Sequence, residues 1–99
     1  MAGFKDQMAM LQKLRKAQKE LANEIIEVEA GDGAVVIQFS GEQKVVDVKL
    51  DANLINLDNI EELEGWIKAA IRDGMKEAQE VATEKLKPMM GGLGGMLGM

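Results

Sequence analysis

The sequence predicts an α+β protomer with the element order α-β-β-β-α, in which a small antiparallel sheet lies between two long helices. The first observation is a stretch with helical apolar spacing, KDQMAMLQKLRKAQKELANEII. The second is VVIQFSGEQKVVDVKLD, in which apolar and polar residues alternate as they do in strands. The third is a return of helical spacing from about Asp58 to Leu86. Together they predict one domain over residues 1–88, followed by a flexible Gly/Met-rich tail over residues 89–99.

The first helix combines an apolar seam with a basic strip. The seam occupies a and d positions of a seven-residue repeat: Phe4, Leu11, Leu14, Leu21 and Ile25. The cations lie elsewhere on the helix, with Lys13, Lys16 and Lys19 opposite the seam and Arg15 on its flank. Such a strip is typical of a solvated helix face, of a membrane-surface or calmodulin-target helix, and of a contact with another macromolecule. The periodicity alone does not choose among these interpretations.

The middle of the chain predicts a meander of three strands. In each segment the apolar residues share one face: Ile26, Val28 and Ala30, then Val35, Ile37 and Phe39, then Val46, Val48 and Leu50. The segments Ala30–Gly33 and Ser40–Gln43 contain the glycines that tight turns require. The three strands are therefore expected to be antiparallel neighbours.

The second helix is predicted to begin at a capping box and to carry a second basic line. The box pairs either Asp58 with Glu61 or Asn59 with Glu62. The cations recur every four residues, at Lys68, Arg72 and Lys76. These cations form either an exposed ladder among acidic neighbours or a contact surface. The single tryptophan, Trp66, is expected to be a buried anchor rather than a platform on which bases stack.

Small residues interrupt the apolar stripe of the second helix. Three of them, Ala70, Gly74 and Ala78, are spaced by four. We interpret this spacing as a site where another helix packs closely, and as a signal of a dimer interface. Gly65 and Gly74 each cost about 1 kcal/mol of helix stability relative to Ala. Both glycines are therefore expected to mark close helix approaches.

The composition argues against catalysis. The chain has no Cys and no His, which removes thiol nucleophiles, the usual zinc ligands and the commonest general base. No paired nucleophile and base and no phosphate-binding loop are recognisable, so we expect no enzymatic activity, cofactor, metal site or small-molecule substrate. The sequence shows no secretory signal and no apolar run long enough to span a bilayer, so we expect a cytoplasmic protein with no membrane partner.

The charges are segregated along the chain, although the net charge is −5. Residues 1–19 contain five cations and one acid, a net charge of +4. Residues 20–64 contain two cations and twelve acids, a net charge of −10. Residues 65–99 contain five cations and four acids, a net charge of +1. The first helix therefore has the local positive charge that phosphate binding requires.

The chain resembles the YbaB/EbfC family of bacterial nucleoid-associated proteins over about residues 7–86. The resemblance is carried by MLQKLRKAQKELANEIIEVEAGDGAVVIQFSGEQKVVDVKLD and by IEELEGWIKAAIRDGMKEAQE. Its most specific positions lie in the sheet: Gly33, Val35, Ile37, Gly41, Val45, Val48, Leu50 and Asp51. Where the family often has Asn in an AAxNxA stretch, this chain reads AAIRDG.

The resemblance implies an intertwined, tweezer-like homodimer that binds double-stranded DNA in the nucleoid and takes part in nucleoid organisation and gene regulation. It also implies that the DNA-contacting residues are cations of the two helices, acting mainly on phosphates. The corresponding positions are Lys13, Arg15, Lys16, Lys19, Lys68, Arg72 and Lys76. The alternative is a homodimeric protein-interaction module in which these cations are incidental.

Overall fold

The computed structural model describes residues 3–96, and for Phe4 and residues 89–96 it describes the backbone alone. The elements are α1 (Phe4–Asn23), β1 (Ile25–Ala30), β2 (Val35–Ser40), β3 (Val45–Leu50) and α2 (Ile60–Met96). This order confirms the predicted α-β-β-β-α protomer. α2 continues past Pro88 and past its predicted end near Leu86. The predicted mobility of the tail stays a prediction, and its last residues, 97–99, lie outside the described residues.

The three strands form the predicted antiparallel meander in the order β1-β2-β3. Val28 pairs with Ile37, and Ile37 pairs with Val48, so these predicted apolar positions share one face across the sheet. A register shift between Gln38 and Phe39 pairs Phe39 with Val45, so Val45 takes the place that the alternation gave to Val46. The β1–β2 turn contains Gly31, Asp32 and Gly33, all with positive φ angles, which is the conformation that favours glycine. The sequence placed this turn correctly.

α2 packs across the apolar face of β1 and β2. Val35, Ile37 and Phe39 are at most 1% exposed, and Ala70 and Ala78 of α2 are fully buried against the sheet. Gly74 lies directly over the Phe39 ring, which a Cβ at this position would overlap. The prediction that another helix packs on these small residues of α2 is therefore wrong, because the protein's own sheet packs there. Within the described protomer a Cβ at Gly65 would meet nothing within 4 Å, so the close approach expected there stays a prediction.

Local contacts hold the start of α2 in place beside the sheet. The Asn59 side chain accepts a hydrogen bond of 3.3 Å from the Glu62 backbone N–H, so Asn59 caps the start of α2. Trp66 is half-buried and lies against the β1–β2 turn, where a Cβ on Gly31 would come within 2.5 Å of the indole ring. This position agrees with the expected anchor.

α1 lies beside the C-terminal half of α2 and contacts the sheet at its own C-terminal end. The Gly41 N–H donates to the Leu21 carbonyl oxygen over 2.8 Å, which fastens α1 to the turn after β2. Glu20 pairs with Lys85, and Glu24 lines a groove with Val81 and Lys85. Glu20 lies beside Lys85, and Glu24, four residues later, lies beside Val81, four residues earlier. The two helices therefore run antiparallel.

Candidate nucleic-acid interface

The predicted basic strip of α1 is exposed to solvent. Lys13, Arg15, Lys16 and Lys19 are all exposed. The buried residues of α1, Ala17 and Leu21, lie away from Arg15 and Lys19, whereas Lys13 precedes Ala17 by four residues and is exposed on the same side of the helix. In the part of the chain that the structure describes, none of the four cations forms an ion pair. Their charges are therefore available to a polyanion.

The predicted seam of α1 is buried only in part. Leu21 is 4% exposed, whereas Leu11, Leu14 and Ile25 are 49%, 37% and 51% exposed. Ala17, which lies outside the predicted a and d positions, is buried instead. The packed face of α1 is thus rotated from the heptad seam: Ala17 and Leu21 are buried, and Glu20 between them pairs with Lys85 of α2.

The second basic line lies on the back of α2, away from the sheet. Lys68, Arg72 and Lys76 are exposed. Arg72 lies 3.6 Å from the Asp73 carboxylate, and Lys76 borders an acidic groove. These neighbours partly neutralise the line, so the structure leaves the α1 strip as the more positive of the two surfaces.

Acidic side chains concentrate on the β1 side of the protomer. Two adjoining grooves, with volumes of about 480 and 600 Å³, run along β1 and the neighbouring flank of α2. Their acidic lining consists of Glu24, Glu27, Glu29, Asp73, Glu77, Glu80 and Glu84. The protomer thus has separate basic and acidic surfaces, which directs a polyanion towards α1.

The opposite side of the protomer is an open apolar groove, which the sequence did not predict. Val45, Val48 and Leu50 of β3 are about half exposed, because α2 covers only β1 and β2. The flank of α2 towards β3 adds Ile71 and Met75, at 39% and 44% exposure. The Gln43 side chain closes one end by donating a 3.2 Å hydrogen bond to the Met75 carbonyl oxygen.

The groove ends in a small apolar pocket beside the start of α2. Its volume is about 280 Å³, and it is lined by Leu50, Ala52, Ile55, Leu57 and Leu63. Leu57 is 77% exposed, the highest value among the exposed large apolar side chains that the structure describes. We call the surface formed by Val45, Val48, Leu50, Ile71, Met75 and this pocket the β3 groove.

A cross-helix ion pair that the sequence did not predict joins α1 to α2. Lys85 Nζ lies 2.8 Å from a Glu20 carboxylate oxygen. The hydrogen bond from Lys85, with its charge, holds the pKa of Glu20 below its ordinary value. The pair fixes the position of α1 next to the basic strip. Glu20 and Lys85 were recognisable as opposite charges, but their pairing depends on the antiparallel arrangement of the helices.

Replacing Lys85 by Gln is expected to raise the pKa of Glu20 towards its ordinary value, because the donor and the charge are both lost. Since the folded-state pKa of Glu20 is lowered, the pair stabilises the fold above the unfolded-state pKa, and this contribution disappears as pH falls through the folded-state pKa. A carboxyl NMR titration measures the shift. Lys87→Gln is the matched control, because Lys87 is exposed on the same helix. An unchanged Glu20 titration in Lys85→Gln would contradict the pairing.

The described residues offer neither a metal site nor a membrane-spanning helix. Among them no group of three acidic side chains is arranged to hold a metal ion. Neither α1 nor the described part of α2 combines the length and the apolar character that crossing a bilayer requires.

The fold and these surfaces define a class of small helix-and-sheet protein with an exposed basic helix. The model of the YbaB/EbfC DNA-binding family matches residues 1–93. The chain belongs to this family, which confirms the resemblance found in the sequence.

Relatives and a solved structure agree with this assignment. A nucleoid-associated protein of Rhodococcus erythropolis is 41% identical over 88 residues, covering 89% of this chain and 79% of the relative. One from Chloroflexus aurantiacus is 35% identical over 87 residues, covering 88% and 87%. The crystal structure of an uncharacterized protein, HP0035, from Helicobacter pylori has a TM-score of 0.78 at 22% identity and covers 89% of this chain and 97% of that one. The last similarity concerns the fold alone.

Proposed function

We propose that this protein is a non-enzymatic, nucleoid-associated protein of the cytoplasm that binds double-stranded DNA as a homodimer and contributes to nucleoid organisation and gene regulation. The observation that carries the proposal is the exposed strip Lys13, Arg15, Lys16 and Lys19 on α1, which forms no ion pair with another described residue. The description of its family as DNA-binding and the names of its relatives support the same function.

The binding mechanism is phosphate neutralisation with release of counterions. The α1 strip supplies the main contacts, and Lys68, Arg72 and Lys76 on α2 supply further ones. If one dimer neutralises about six phosphates, the logarithm of the binding constant falls with the logarithm of salt concentration at a slope near −5. Lysine and arginine contacts to phosphates carry little sequence information, so sequence preference is weak. The acidic grooves beside β1 repel DNA and orient the protein.

The β3 groove is the surface through which two copies associate. Contiguous exposed apolar surface on this scale marks an interaction site in small proteins. The groove is continuous with the core, since Val48 and Leu50 share the face of Ile37 and Val35 on β2. A second copy presents the same apolar surface, so a two-fold contact covers both grooves at once. Dimerisation also doubles the number of basic strips that one particle offers to DNA.

Val48→Glu is expected to convert the dimer to a monomer. The contact would bury two unpaired carboxylates, one from each copy, which together cost about 3 kcal/mol and raise the dissociation constant by roughly a hundredfold. Analytical ultracentrifugation measures the change. Lys49→Glu is the control, because Lys49 is the next residue on the same strand and points to the opposite face of the sheet. A Val48→Glu protein that remains dimeric would place the contact elsewhere.

The DNA proposal is tested by titrating the full-length protein against a random duplex of about 30 base pairs at several salt concentrations, with fluorescence anisotropy as the readout. Binding that weakens with salt at a slope near −5 supports the phosphate mechanism. Absence of binding at low salt overturns it and favours the alternative, a homodimeric module that binds another protein.

A further inference from the structure

The N-terminal half of α1 carries an exposed apolar ridge that a phosphate contact does not use. Met8 and Leu11 are 43% and 49% exposed, and their spacing of three residues places them on one side of the helix. At about 100° per residue, Met8 and the buried Ala17 lie on opposite sides of α1. The described side chains of α2 therefore leave the ridge exposed.

Cations border this ridge directly. Arg15 follows Leu11 by four residues, and Lys19 follows Arg15 by four, so both lie along the same side of α1 as the ridge. Lys16 lies on the adjoining side and is also exposed. One surface of the helix thus presents apolar side chains and positive charges next to each other.

The rest of the protomer leaves this surface accessible. Among the described residues α1 contacts α2, β2 and the turn after β2, and its buried residues, Ala17 and Leu21, lie towards its C-terminal end. The acidic grooves begin at Glu24, beyond the ridge, and follow β1 and α2. A flat, negatively charged surface that approaches the N-terminal half of α1 therefore meets the cations and the ridge before it meets the acids.

We propose that this face of α1 docks on the headgroup region of a bilayer that contains anionic phospholipids. Met8 and Leu11 insert between the headgroups, while Arg15, Lys16 and Lys19 contact the lipid phosphates. Duplex DNA matches the cations but offers no apolar environment to the ridge. A second copy on the ridge would bring like-charged Arg15 and Lys19 strips together. An anionic bilayer satisfies both features, and this docking does not depend on DNA binding.

The test is co-sedimentation of the full-length protein, without DNA, with vesicles of phosphatidylcholine containing about 30% phosphatidylglycerol, and with vesicles of phosphatidylcholine alone. Binding to the anionic vesicles only is expected. Met8→Gln combined with Leu11→Gln should weaken it about tenfold, because the apolar insertion is lost. Arg15→Gln and Lys19→Gln should each weaken it roughly fivefold. Val46→Gln, which alters a half-exposed apolar residue of the sheet, is the control and should bind as the original protein does.

Three measurements decide the outcome for the Met8/Leu11 variant: vesicle binding, duplex DNA binding and molecular mass. Lost vesicle binding with unchanged DNA binding and mass supports the bilayer contact. Vesicle binding that survives the double change overturns it, since the cations alone then account for the attraction. A change in the mass of the oligomer in solution also overturns the proposal and assigns the ridge to a contact between copies. Absence of binding by the unaltered protein overturns it outright.

Discussion

Replacing Lys13, Arg15, Lys16 and Lys19 together by Gln is expected to weaken binding to double-stranded DNA by at least about a hundredfold at low salt. The four side chains are exposed and unpaired within the described chain, so their charges act on phosphates at full strength. Each lost contact should also flatten the salt dependence by about 0.9 in the logarithmic slope. Anisotropy titrations at three salt concentrations measure the affinity and the slope in one experiment.

A matched pair of variants separates position from net charge. Lys16→Gln/Lys19→Gln and Lys44→Gln/Lys49→Gln remove the same charge, but only the first pair lies on α1. The α1 pair should weaken DNA binding at least tenfold more than the control pair. Equal losses in the two pairs would show that only overall charge matters. Each variant should form the same oligomer as the original protein, with the same mass in solution, because none of these residues lines the β3 groove.

The fold follows from local sequence patterns to a large extent. Alternation at Val35, Ile37 and Phe39 identified the central strand and its buried face, and all three residues are buried there. The glycines of the Ala30–Gly33 segment identified a turn in which the backbone takes positive φ angles. Such signals are readable because they reflect geometry within a few residues.

Contacts between elements that are distant in the chain could not be predicted from the sequence in the same way. Spacing shows that an apolar stripe runs along α2, but not that the helix covers β1 and β2 while β3 stays open. Likewise the heptad pattern favoured Leu11 and Leu14 as packed residues, whereas the structure packs Ala17 beside Leu21. The direction of contact depends on how α1 and α2 cross, which no single helix encodes.

The candidate site, like the fold, was predictable in part. The exposure of the α1 cations could be predicted, because long charged side chains rarely lie in a small core. The apolar groove beside β3 could not, since its residues look like ordinary core positions in sequence. The two basic sets also differ in a way that spacing conceals: Arg72 lies beside Asp73, while the cations of α1 form no ion pair with another described residue.

Gly74→Ala is expected to destabilise the protein by about 2 kcal/mol or more, although alanine is the better helix former. The new methyl group would overlap the Phe39 ring, whose side chain is 1% exposed and cannot move without disturbing the sheet. Overpacking of this kind costs about 1–3 kcal/mol or more, which exceeds the gain of up to about 1 kcal/mol from helix propensity. Urea unfolding followed by circular dichroism measures the difference.

Gly65→Ala provides the opposite expectation on the same helix. A Cβ at Gly65 meets nothing within 4 Å, so this change should stabilise the protein by about 0.5–1 kcal/mol through helix propensity alone. Phe39→Leu should recover part of the stability lost in Gly74→Ala, because the smaller side chain leaves room for the methyl group. If both glycine variants were stabilised equally, α2 would not lie against Phe39. The opposite signs would show that the absence of a side chain at position 74 makes room for the protein's own sheet.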